Sequence, residues 1–213
     1  MTDRLPGTAL IDPRPPRVLF SELLAGALER TRVDPSPLAT AYLVDLLDER
    51  VAEASGAGDP PGVEESLAEG LLRARLERGA ARIGRLRVLG DRALFVAGFF
   101  CDSLERTVVG LGWYRDAGRQ AYAELSASLR GRRAEAPSAD HGITMPELFE
   151  ELADRFPEFA EVLTEVGDRT RAATPGGLDG LYARFLRDDT ERDRCRVTRR
   201  GHSVPRGSLP RAQ

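Results

Sequence analysis

Ala93-Leu94-Phe95-Val96-Ala97-Gly98-Phe99-Phe100-Cys101 is the longest unbroken apolar run in the chain, nine residues between Arg92 and Asp102. It is far short of the ~20 residues needed to cross a bilayer. A helix that is apolar on every side belongs in the middle of a bundle. The segment from Asp91 to about Arg106 therefore reads as a central helix, with Gly90-Asp91 as a break and a new cap. The expected fold follows from what can surround such a helix.

On its N-terminal side, two helical stretches are expected, Val63 to Arg78 and then Gly79 to Gly90. In the first, Leu67, Leu71, Leu72 and Leu76 read as the inward face. On its C-terminal side a Gly110-Leu111-Gly112 turn precedes a helix from Trp113 to about Arg130. There Tyr114, Gly118 and Tyr122 share one face and Ala117 and Ala121 an adjacent one, small enough to let a neighbour approach.

The ends of the chain extend this pattern. Leu19, Leu23, Leu24, Ala27 and Leu28 repeat at helical spacing between Val18 and Arg30. Ser36-Pro37 is a strong helix start, since Ser36 can accept from an orphan N–H and Pro37 sits where its missing donor costs nothing. Leu38, Tyr42, Leu43, Leu46, Leu47 and Val51 continue that helix. Thr144 and Glu147 form a capping-box pair before Leu148, Phe149, Leu152 and Phe156. Pro157 divides this helix from another carrying Phe159, Val162, Leu163 and Val166, and a short helix is expected from Leu178 to Arg187. No period-two strand pattern occurs. The expectation is an all-α, irregular bundle of about seven or eight helices. Its parts are an irregular, disordered arm (1–16), a helical core (17–130), a linker (131–143), a C-terminal hairpin packed on the core (144–188) and a disordered basic tail (189–213).

Composition removes several chemistries. The chain has 213 residues and a formal net charge of -3, and all 31 of its basic residues are arginine. Without lysine there is no Schiff base, pyridoxal-phosphate anchor or P-loop lysine. Without asparagine there is no N-glycosylation site. The skew toward arginine, alanine, glycine and proline matches the codon bias of a GC-rich genome. Cys101 and Cys195 have no partner at metal or redox spacing. His141 and His202 lie in the expected linker and tail, where no imidazole is held rigidly. The segment Met1 to Pro16 carries four prolines and no apolar core of a signal peptide. A cytoplasmic protein without cofactor or membrane contact is expected.

Three sets of residues are candidates for function. Phe95, Phe99, Trp113, Tyr114 and Tyr122, with Asp102 at the rim, could line a pocket for a small apolar or cationic ligand. Glu150, Glu151, Asp154, Glu165 and Asp168 could hold magnesium against phosphates if the hairpin brings them together. That set resembles the EExxE…ExxD pattern of all-α nucleotide pyrophosphohydrolases, and departs from it at Asp154, in spacing and in lacking lysine. Asp188-Asp189-Thr190-Glu191-Arg192-Asp193 is similarly close to the DDxxD box of prenyl-chain enzymes, with Arg192 at the required acid. Neither resemblance carries residues over.

The third set is basic. Arg73, Arg75, Arg78, Arg82, Arg85 and Arg87, with Arg92, face only Glu77 and Asp91 in their segment, whereas 144–168 holds eight acids against Arg155. Such fields steer association. The expectation is therefore a non-enzymatic interaction or regulatory module that binds a protein partner, or itself, through charge-asymmetric faces. The alternatives are a carboxylate-using enzyme or small-ligand binder, and nucleic-acid binding through the arginines.

Overall fold

The computed structural model describes residues 15–54, 66–101, 110–135 and 144–173. Among them are seven helices and no strand: α1 (Pro16–Thr31), α2 (Pro37–Ala54), α3 (Leu67–Leu76), α4 (Gly79–Phe99), α5 (Leu111–Glu135), α6 (Met145–Asp154) and α7 (Phe156–Ala173). The all-α expectation holds. The helix expected at 178–187, Asp102, both histidines, the aspartate-rich run and the basic tail lie outside the described residues, as does nearly all of the arm.

The starts and stops are chemical. Ser36 Oγ accepts the Ala39 N–H at 3.1 Å, and its own N–H is taken by Glu151 at 3.0 Å, so α2 begins tied to α6. Ser66 Oγ accepts from the Glu69 N–H at 3.3 Å at the start of α3. Gly79, at φ +61°, makes the left-handed step from α3 into α4 that only glycine takes without strain. Thr144 and Glu147 close a capping box on α6. Pro157 falls in the first turn of α7, where its missing N–H breaks no helical bond.

One expectation about the centre is overturned. Gly90-Asp91 is no break; α4 runs straight through both for 21 residues. A glycine inside a helix costs only ~1 kcal/mol relative to alanine, and here its bareness is used. A Cβ at Gly90 would lie 2.5 Å from the Tyr122 ring, so α5 lies too close for any larger residue. The helix stops at Phe99, earlier than Arg106. At the other end, α5 continues to Glu135, into the stretch expected to be linker.

The unbroken buried stretch Leu89–Phe100 makes α4 the axis of the bundle. α5 and α7 pack along it, α3 covers its N-terminal half, α6 lies against α5, and α1 bridges α2 and α7. Close approach depends on small residues. A Cβ at Gly98 would fall 2.4 Å from Leu163 Cβ on α7, and one at Gly118 would fall 2.4 Å from the Phe156 ring. Leu94, Phe95, Phe99, Leu125, Phe149, Phe156, Phe159 and Leu163 close around these contacts as one core. Among the described residues, no helix is long and apolar enough to cross a membrane.

Candidate functional site

Asp91 is drawn inside because α4 is apolar on both sides of it, leaving the residue 3% exposed. Tyr42 on α2 donates its hydroxyl to Oδ1 at 2.5 Å, and Tyr122 on α5 donates to the same oxygen at 2.8 Å. Arg87, one turn earlier on α4, lies 3.5 Å from Oδ2 and donates from Nε to the Tyr42 hydroxyl at 3.2 Å. Its guanidinium stands 5.4 Å from the Tyr42 ring centroid and 3.8 Å from Glu49.

Burial pushes the Asp91 carboxyl above the usual carboxylate range, while the two phenols, Arg87 and Arg50 pull it down without cancelling that effect. Burial, then the Asp91 charge, raises both tyrosines, so they stay protonated and keep donating. A carboxylate held by phenols from two other helices ties α2, α4 and α5 in register. Arg87 and Glu49 carry the cluster to the surface. Sequence reading missed this site. A lone acid in an apolar helix was the only local signal, and its partners lie 49 and 31 residues away.

The aromatic set does not form one wall. Phe95 stacks on Phe99 at 4.7 Å, within the core. Tyr122 faces Gly90 on α4 and stacks on Phe149 at 5.8 Å, beside Phe156 at 6.1 Å. Positions 90 and 95 are five apart, which turns about 140° around an α-helix, so Tyr122 and Phe95 meet different sides of α4. Tyr114 is buried, and Trp113, 39% exposed, stands edge-on to it at 5.2 Å. The expected common lining is corrected on this point.

Nor does the acidic hairpin converge. Glu150 pairs with Arg130, Glu151 with Arg155 and the Ser36 N–H, and Glu165 with Arg30 and Arg169. The hydrogen bond from Arg30 chiefly holds Glu165 below the usual carboxylate range. Asp154 and Asp168 are exposed. Among the described residues, no group of three or more histidine, cysteine, aspartate or glutamate side chains is placed to hold a metal. Glu150, Glu151 and Glu165 are spread over different helix contacts instead of facing one point.

The basic set is divided. Arg82 donates to Glu124 at 2.7 Å and to the Ala74 carbonyl at 3.1 Å, fastening α4 to α5 and α3. Arg85 holds Glu77 through two bonds of 2.8 and 2.6 Å, which lower the Glu77 carboxyl. Arg87 belongs to the Asp91 cluster. Arg73, Arg75 and Arg78 are the exposed members of the set, and Arg73 lies near enough to Glu77 to help lower its carboxyl. The continuous interface expected from Arg73 to Arg87 is thereby reduced to its α3 end, because arginines one turn apart on α4 find acids within the chain.

No family model, curated protein or solved structure matches this chain. On the outer surface, Val18, Leu72, Leu76, Val88, Trp113 and Met145 are the exposed large hydrophobic side chains among the described residues.

That surface holds a second correction. Leu72 and Leu76, expected inward, are 60% and 85% exposed. α3 meets α4 through Leu67, Gly70 and Ala74 instead; a Cβ at Gly70 would lie 2.4 Å from Leu89 Cδ2. The small residues allow the closer approach and so define the packed face. The leucines are left on the opposite side, four residues apart and on one stripe with exposed Ala68.

Proposed function

We propose that this chain is a non-enzymatic helical interaction module that binds a protein partner through the outer face of α3. The observation that carries the reading is the exposure of Leu72 and Leu76 in a protein whose other leucines on α2, α4 and α6 are nearly all inside. Leaving large aliphatic side chains in water forgoes about 1.5–3 kcal/mol each on burial, a gain that an incoming surface recovers. The rest of the bundle serves as rigid support, with the Asp91 cluster holding α4 against α2 and α5.

The test is affinity capture from cells expressing the full chain, comparing wild type with a Leu72→Gln/Leu76→Gln variant. Both side chains are exposed, so thermal unfolding of the variant should match wild type. A specific partner captured by wild type and lost by the variant agrees with the proposal. Equal capture by both proteins would place the binding surface elsewhere.

A further inference from the structure

We infer that the partner segment is an acidic amphipathic helix laid along α3, an inference that rests on the binding face proposed above. Ala68, Leu72 and Leu76 present an apolar stripe at four-residue spacing, the pattern that receives the i, i+3, i+4 anchors of a second helix. The rim of the stripe decides the charge. Arg75 and Arg78 are exposed and, among the described residues, neither reaches a carboxylate. Arg73 is exposed beside them. The acids of this stretch are engaged: Glu77 takes both bonds from Arg85, and half-buried Glu69 accepts from Ser66 Oγ at 3.4 Å at the start of α3. The face is therefore apolar along its middle with a positive rim, and the guanidinium fork suits carboxylates.

Other occupants fit less well. A second copy docked α3 to α3 would set two positive rims against each other, a cost that specific interfaces avoid. The chain's own acidic hairpin has Glu150, Glu151 and Glu165 occupied by internal arginines. A nucleic acid would meet the arginines but leave Leu72 and Leu76 in water, since no aromatic side chain on α3 offers a base a stacking surface.

Two labelled peptides of about 18 residues, long enough for an isolated helix to be populated, would be titrated with the full chain by fluorescence anisotropy. Both carry the same leucine stripe; glutamates flank it in one and lysines in the other. The glutamate peptide should bind at least about tenfold tighter, as expected for complementary rims, and should weaken with salt. Arg75→Glu/Arg78→Glu should reverse the preference, and Leu72→Gln/Leu76→Gln should abolish binding of both. Equal or tighter binding of the lysine peptide, lost in the leucine variant, would overturn the acidic chemistry while leaving the face intact. Binding indifferent to the leucine variant would overturn the face itself. Self-association by light scattering that disappears in the leucine variant, with neither peptide bound, would make a second copy the occupant and overturn this inference. No binding and no self-association would overturn it as well.

Discussion

Replacing Gly98 with alanine places a methyl group where α4 and α7 leave no room. The new Cβ would lie 2.4 Å from Leu163 Cβ, 3.1 Å from the Ala160 carbonyl oxygen and 3.4 Å from Leu163 Cδ1. Non-bonded carbons rest at about 3.5–4.0 Å, so the deficit exceeds an ångström. A Cβ is fixed to its backbone, and no rotamer change at Leu163 relieves the contact; α7 itself must move. That movement would also strain the bond from Thr164 Oγ1 to the Gly98 carbonyl, 2.8 Å. Overpacking that forces side-chain and backbone shifts costs about 1–3 kcal/mol, and a deficit above an ångström that only a movement of α7 relieves puts this site at about 2–3 kcal/mol. Against it stands ~1 kcal/mol from alanine's helix propensity. The expected net loss is about 1–2 kcal/mol, taking both effects together.

Gly84 supplies the internal control. It lies on the same helix, exposed, with nothing within 4 Å of the position a Cβ would take. Gly84→Ala should therefore show the propensity gain alone and stabilise the protein by about 0.5–1 kcal/mol. Urea unfolding followed by far-UV circular dichroism measures both, and melting temperatures should part by roughly 2–4 °C for each kcal/mol in a chain of this size. Gly98→Ala at or above wild-type stability, or Gly84→Ala falling as far, would refute the reasoning about the α4–α7 contact.

The Asp91 cluster gives two further expectations. Tyr122→Phe removes one of two donors to a buried carboxylate and should cost about 1.5–3 kcal/mol, the range for hydrogen bonds to charged groups; urea unfolding with a loss under about half a kcal/mol would contradict the cluster. In Asp91→Asn the amide oxygen can still accept from both phenols. Because the folded-state pKa of Asp91 is raised above its ordinary value of 3.8, its contribution is fully present below that value and is lost as pH rises through the folded pKa. Wild-type stability minus that of Asp91→Asn should therefore fall as pH rises from about 3.8, and a difference that grows with pH would reverse the assignment. At the start of α2, Ser36→Ala should cost ~1 kcal/mol through loss of the cap; an unchanged denaturation midpoint would show that the Ala39 N–H finds another acceptor.

Much of the architecture was legible because helix periodicity and capping are local. Ser36-Pro37, Thr144 with Glu147, and Pro157 each mark a boundary through atoms within a turn of one another. The errors share one cause. Gly90 carries a local signal for a break, yet its role is to admit the Tyr122 ring from α5, far along the chain. Leu72 and Leu76 carry the local signal for a core face, yet Gly70 and Ala74 are what α4 packs against. Arg82 and Arg85 look like part of a basic patch until Glu124 and Glu77 are seen beside them.

By itself, then, the run from Ala93 to Cys101 determined that one helix would lie at the centre of an all-α bundle, because burying an apolar surface on every side requires neighbours all round. Only the tertiary structure decided which residues those neighbours touch. Helix axes approach most closely where side chains are smallest, and charges settle on whichever opposite charge the packing brings near. Both are properties of pairs of distant segments, and so the exposed stripe on α3 and the tie at Asp91 came into view only once the helices were placed together.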